Sequence, residues 1–318
     1  MMGDMATQPK TFTRWRGVSW YVGLGLLGQL IWGSYPPMAK RALMEVPKFS
    51  LLLFATAATA LVGLGVMWRE EPRSARQVVG FLWHEKTLWA LAFVVALRSV
   101  TNISAIALTR ATWVQLIYLM TPFMVALLGV GLFGEPAPRY TYEALALSTL
   151  GAVLTLVADW SNVLAGFSTR DFVGLGVAGL SMLLLAVYFQ VVRRSSRQNA
   201  GRGLIMFQQG LAMTVTYAAI SVFAGEDWGA WLHVSWEGWL VIAWVVGGIF
   251  ALGNFVQITA LSGANAALIT SMMPLRLVSA IALGWWLLGE RLATPLQWLG
   301  AALVLATVSG YLWLQRQE

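Results

Sequence analysis

NISAIALTRATWVQLIYLMTP (residues 102–122) and NFVQITALSGANAALITSMMP (residues 254–274) lie over one another without a gap. Asn102-Ile103-Ser104 falls on Asn254-Phe255-Val256, Leu116-Ile117 on Leu268-Ile269, Met120 on Met272 and Pro122 on Pro274. A shift of three carries the match to Gly134-Glu135 over Gly289-Glu290, and a further shift to Leu150-Gly151-Ala152 over Leu299-Gly300-Ala301. Upstream, Tyr35 falls on Tyr188 and Lys40-Arg41 on Arg193-Arg194. A match in this order, across most of the chain, predicts one structural unit used twice.

Each copy is mostly apolar. Of the 318 residues, 58% are hydrophobic and 11% charged, against about 25% charged in a soluble domain. So few charges cannot cover a water-facing surface, and the charges that exist fall between long apolar runs. The runs do not alternate polar with apolar residues as the strands of a membrane barrel would. A membrane helix needs roughly 20 such residues. Ten runs qualify: 18–39, 49–67, 88–107, 112–133, 144–160, 172–192, 204–223, 238–260, 264–288 and 296–314. The short links LTRAT (108–112) and LSGAN (261–265) predict tight antiparallel pairs. Five runs fall in each copy. Because five is odd, the second copy enters the bilayer from the opposite side. The expected fold is therefore all-α and polytopic, ten transmembrane helices built as two inverted five-helix repeats, residues 1–160 and 161–318.

Basic residues set the orientation. With the N-terminus inside, the inner loops hold Lys10, Arg14, Arg16, Arg69, Arg73, Arg76, Lys86, Arg139, Arg193, Arg194, Arg197, Arg202 and Arg316. The outer loops hold Lys40, Arg41, Lys48, Arg110, Arg170 and Arg291. The imbalance predicts both termini in the cytoplasm. The linker 224–237, with Glu226, Asp227 and Glu237 and no Lys or Arg, then lies outside. The first run follows basic residues as a signal peptide would, but it is longer, lacks an Ala-x-Ala end and runs into Pro36-Pro37, so it reads as an uncleaved span. The net charge of +7 follows from loop charge and needs no nucleic acid.

Several chemistries are excluded. There is no cysteine, and His84 and His233 both lie between apolar runs, so no thiolate or intramembrane histidine site exists and no metal is expected. Gly23-Leu-Gly25-Leu-Leu-Gly28 and Gly174-Leu-Gly176-Val-Ala-Gly179 fit a dinucleotide fingerprint. That motif requires a strand before it and a helix after it. Here both copies sit within apolar runs, where small residues are expected to serve helix packing. No GxxxxGK[ST] loop occurs, which argues against ATP-driven transport by this chain alone. No nucleophile–base pair appears, so neither catalytic residues nor a cofactor are expected and the chain is not read as an enzyme.

Arg98 and Arg276 carry most information about function. Each lies mid-run, where an arginine costs about 3 kcal/mol or more on insertion scales and must face a polar interior. Their counterparts are Phe250 and Met124, so the repeated scaffold demands neither, and no Asp or Glu lies mid-run to neutralise them. They are expected either to bind a carboxylate or phosphate through the guanidinium fork or to be held by helix carbonyls or by a loop-end carboxylate such as Glu135 or Glu290. Gln29 with Trp32, Gln115 with Tyr118, and Asn254 with Gln257 share helical faces and fit a cavity wall or interhelical glue. Gln190, Gln208 and Gln209 add polar capacity. Asn102, repeated at Asn254, reads as structural. So do Pro122 and Pro274, which recur in both copies. Pro36 and Pro37 should kink or break the first span. Trp15, Trp20, Trp68, Trp83, Trp89, Trp160, Trp228, Trp231 and Trp236 lie near span ends, where indoles anchor at headgroups. Trp32 and Trp113 are the better cavity candidates.

WGSYPPMAKRAL (32–43), the Leu-Ile…Pro…Gly-Glu pattern ending spans four and nine, and the LGA of spans five and ten resemble the drug/metabolite transporter superfamily, EamA type. The resemblance implies a ten-helix basket with cytoplasmic termini and a cavity lined by spans one, three, four, six, eight and nine. It implies substrates as diverse as amino acids, drugs, nucleotide sugars and sugar phosphates, and so does not choose one. The expected function is secondary transport of a small polar, anionic metabolite across the inner membrane. The expected partners are that small-molecule substrate and the lipid bilayer, with a homodimer left open. The rivals are an exporter of amino acids or amphipathic drugs, and a non-transporting membrane subunit on the same scaffold.

Overall fold

The computed structural model describes residues 18–70, 86–133, 139–156, 167–195, 202–263 and 272–314. Among these the chain is helical throughout, with no strand. The helices are α1 (Val18–Ala42), α2 (Lys48–Glu70), α3 (Lys86–Leu108), α4 (Ala111–Tyr118), α5 (Thr121–Phe133), α6 (Thr141–Leu156), α7 (Thr169–Ser195), α8 (Arg202–Phe223), α9 (Trp236–Ala243), α10 (Asn254–Gly263), α11 (Pro274–Leu288) and α12 (Pro295–Leu314). A 3₁₀ turn spans Trp228–His233, and a π-helical stretch, Trp244–Gly253, joins α9 to α10. Among the described residues five stretches are long and apolar enough to cross a membrane: Lys48–Arg69, Ala111–Gly131, Thr169–Tyr188, Gly203–Phe223 and Trp236–Ala260. Leu61, Phe93, Val222 and Trp286 point outward and are well exposed. Lipid accepts such side chains where water would not. The protein is an all-α polytopic membrane protein.

Three local features depart from the sequence reading. Of the kink or break expected at the proline pair, the break does not occur: α1 runs through Pro36 and Pro37 as one helix. The carbonyls of Trp32 and Gly33, four residues upstream, lose their helical donors there, but tight packing holds the segment: Pro36, Pro37 and Ala39 are buried. The fourth span is interrupted, α4 ending at Tyr118 and α5 starting at Thr121, just before Pro122. The residue before a proline resists helical geometry, and Thr121 Oγ1 bonds back to the Tyr118 carbonyl at 2.6 Å. The eighth span is continuous but contains the π-helical stretch. The Phe250 carbonyl accepts from Thr59 Oγ1 (2.9 Å) and Asn254 Nδ2 (2.8 Å).

Glycine makes several of the close helix crossings. On α2 and α8, a methyl added at Gly63 would meet the Phe207 backbone N at 2.4 Å, one at Gly203 the Met67 N at 2.3 Å, and one at Gly210 the Ala60 N at 2.5 Å. The partner numbers fall as the glycine numbers rise, so the helices run antiparallel. Gly151 on α6 and Gly300 on α12, matched to one another in the sequence, lie in mutual contact, each facing the other's carbonyl. The dinucleotide-like glycines behave less uniformly than a packing stripe would. Gly174 abuts Thr109 and Gly28 touches Val256, but Gly23, Gly176 and Gly179 meet nothing within 4 Å.

Five helices begin at one end of the molecule, and an acceptor side chain caps each. Glu226 accepts from the Phe49 and Ser50 amides of α2, both at 2.8 Å. Glu290 accepts from the Ala111 and Thr112 amides of α4 at 3.0 and 3.1 Å. Asp171 and Ser168 cap α7 reciprocally. Ser235 caps α9 and itself donates to Glu45. Thr294 and Gln297 cap α12, which opens on Pro295. Each such bond satisfies a donor the helix leaves open. This end gathers the loops expected outside the cell. Of the residues expected inside, Lys10, Arg14, Arg16, Arg73, Arg76, Arg197 and Arg316 lie outside the described residues. So do His84, Trp15, Trp83, Trp160 and the matched pairs Gly134-Glu135 and Leu268-Ile269, together with the side chains of Gln190, Arg193 and Arg194.

Candidate functional site

Arg276 sits two residues into α11, after Pro274, and is 8% exposed. Its backbone is close to Gly33 of α1, where an added methyl would meet Arg276 Cα at 2.7 Å. This approach lets the guanidinium reach across to α1. Nε donates to Gln29 Oε1 at 2.5 Å, and an Nη donates to Gln257 Oε1 on α10 at 3.4 Å. The guanidinium lies over the Trp32 ring, 5.9 Å from its centroid. All these contacts are neutral acceptors or a π face, so the positive charge is solvated by dipoles and not neutralised.

Arg98, on α3, is half-buried. It lies in electrostatic reach of Arg276 and of four phenols: Tyr35 on α1, Tyr118 on α4, Tyr188 on α7 and Tyr217 on α8. Ser181 Oγ ties α7 to this cluster, bonding the Arg98 carbonyl at 2.8 Å and the Tyr118 hydroxyl. The Arg98 Nε is buried without a protein partner, as are Trp32 Nε1, Gln115 Nε2 and Asn102 Oδ1. Most of these are donors. Buried donors without partners each cost about 1–3 kcal/mol and usually mark a place where something else supplies the acceptor. Phe250, carried by the π-helical stretch, packs against Tyr35 (5.5 Å) and Trp32 (5.8 Å), closing one wall with aromatic rings. π-helical insertions of this kind are frequent at functional sites.

Of the residues singled out in the sequence, Arg98, Arg276, Tyr118, Gln257 and Trp32 are brought together, with Gln29 beside them. Gln115 lies one turn from Tyr118 on the same face of α4. Asn254 is turned away, bonded to the Phe250 carbonyl and to Thr59 Oγ1 at 3.3 Å. Trp113 is elsewhere, stacked on Phe167 at 5.0 Å beneath Arg110. Asn102, one turn from Arg98, is buried, as is Pro274. The sequence reading missed Ser181 and Tyr217, and saw Tyr35 and Tyr188 only as a matched pair. That pairing was the available signal, since both phenols lie near one arginine.

The comparisons with known proteins agree with this architecture. No curated protein matches the chain. Among the 23 solved chains that match, one described only as a crystal structure of a protein is similar over 94% of this chain and 98% of its own. Its TM-score is 0.67 at 17% identity, a likeness of fold. Residues 19–157 match the EamA-like transporter family, which belongs to the drug/metabolite transporter superfamily, and over that stretch the chain is similar to its membrane transporters.

Proposed function

We propose that the protein is a secondary transporter that moves a small polar, anionic organic metabolite across the inner membrane. Residues 1–160 and 161–318 are its two inverted halves, they rock about the arginine site, and both termini are cytoplasmic. The observation that carries this reading is the centre itself. Arg98 and Arg276 lie in each other's field, held by amides, phenols and an indole, with no carboxylate bonded to either among the described residues. Partnerless donors surround them. An anion with several oxygen acceptors completes this set; an amine finds no counterion. Arg98, Arg276, Gln115, Tyr118, Gln257 and Trp32 form the binding surface, and Asn254 supports it from behind. The antiparallel glycine contacts of α2 with α8 and of α6 with α12 support the inverted halves.

A second reading is favoured by one observation. Gln29 and Gln257 already hold Arg276, as a structural arginine would be held, and then the aromatic wall would serve amino acids or amphipathic drugs. Substitution separates the two. Arg276→Lys keeps the charge but loses the fork. It should weaken binding of a stabilising phosphorylated or carboxylated metabolite about tenfold or more, the loss of roughly 1.5–3 kcal/mol in a charge-assisted bond. Arg276→Gln should weaken it further, with melting of the empty protein near that of the parent. Unchanged affinity with early melting would overturn the anion site in favour of the second reading.

A further inference from the structure

Glu290 follows the C-terminus of α11, beyond the left-handed Gly289 (φ 65°). Its carboxylate holds two other helices. One oxygen accepts from the Ala111 amide, the other from the Thr112 amide and from Thr112 Oγ1 at 3.0 Å. Lys40 Nζ, in the last turn of α1, lies 3.5 Å away and also donates to the Thr109 carbonyl. The three helices meeting at this carboxylate are the three that carry most of the site: α1 bears Gln29, Trp32 and Tyr35, α4 bears Gln115 and Tyr118, and α11 bears Arg276. The node sits about two turns from Trp32 along α1 and one turn from Gln115 along α4. It therefore stands over the site at the end where the capped helices begin. Glu290 belongs to one proposed half, and Lys40, Ala111 and Thr112 belong to the other. A shallow cleft lined by Arg110, Thr112, Trp113, Glu290, Arg291 and Gln297 opens beside it.

We infer that the Glu290–Lys40–Ala111/Thr112 node is a gate latch, closed in this structure, that must break for the site to open toward this face. The inference rests on the alternating-access reading. Opening the site between α1, α4 and α11 separates the helices that this one carboxylate holds together. Of the other carboxylates at this end, Asp171 accepts from Thr109 beside the node, while Glu45, Glu226, Asp227 and Glu237 pair elsewhere; among the described residues only Glu290 joins all three site helices.

The chain contains no cysteine, so a single Gln115→Cys reports entry to the site. A membrane-impermeant maleimide is applied to vesicles of each orientation, in the parent and with Glu290→Gln or Lys40→Met added. Labelling from the face that carries residues 40–50 should rise about tenfold, a shift of about 1.4 kcal/mol toward the open state, with no rise from the opposite face. Thr112→Val, which removes one donor and leaves both amides, should give a smaller rise on the same face if the stronger variants fail to fold. A rise from both faces together, or no rise in any folded variant, overturns the latch. Failure of the anion-transport reading would look different: labelling would still respond to Glu290→Gln, while no phosphorylated or carboxylated metabolite stabilised the parent.

Discussion

The α2–α8 crossing and the arginine centre are built by opposite rules. At the crossing, Gly63, Gly203 and Gly210 bring two backbones so close that no methyl fits, and van der Waals contact holds the helices, as it must where lipid offers no hydrophobic drive between them. At the centre, bulky side chains face inward and several buried donors have no partner. A crossing that tight has little room to move. The centre is held less completely, and that is where a ligand can add what the protein leaves out.

The sharpest way to break this contrast is to add one methyl group. Gly63→Ala drives a Cβ against the Phe207 and Met206 backbone, and should cost about 1–3 kcal/mol of stability, seen as earlier melting or lost yield. Gly65, two residues along the same helix, meets nothing within 4 Å, and Gly65→Ala should be neutral or slightly stabilising, since alanine favours a helix over glycine by roughly 0.5–1 kcal/mol. Equal effects at the two positions would mean that the crossing does not depend on close backbone approach.

A smaller effect belongs to the capped end. The Ser235 backbone N–H and hydroxyl, followed by Arg41, hold the Glu45 carboxyl below its ordinary value of 4.5. A carboxyl lowered in the folded state contributes stability that is present above its unfolded pKa and lost as pH falls through the folded one. Glu45 is half-buried beside open solvent, which still screens part of this contribution. Below about pH 4.5 the parent should lose a small increment of melting temperature that Glu45→Gln does not lose. A parent and variant with parallel acid limbs would show that the Ser235 contacts do not bind the ionised form more strongly.

Much of the frame was legible in the sequence because it depends on local pattern. Apolar runs gave the helices, and the match of Leu150-Gly151-Ala152 with Leu299-Gly300-Ala301 picked out two glycines that touch. Arg98 and Arg276 were legible because a mid-span charge must face a polar interior. What failed depended on tertiary packing. The break expected as one alternative at the proline pair does not occur, because the surrounding core holds α1 together there. The π-helical stretch places Phe250 against Trp32 and Tyr35, and its apolar sequence, WVVGGIFALG, carries no local sign of an extra residue per turn. The phenols around Arg98 come from four helices with no common spacing. Glu226 read as loop charge, Glu290 as a loop-end partner for the arginines and Glu45 carried no reading, although each reaches a helix terminus far away in the chain.

The central claim is that the arginine centre takes an anion. Its most direct test is the melting of the purified protein, with and without Arg98→Gln, against phosphorylated, carboxylated, zwitterionic and cationic metabolites. The account predicts saturable stabilisation by anions alone, about 2.7 kcal/mol at a hundredfold excess over Kd. It also predicts that Arg98→Gln removes this stabilisation while the empty variant melts near the parent. Stabilisation by cationic or amphipathic compounds, with every anion inert, would contradict it.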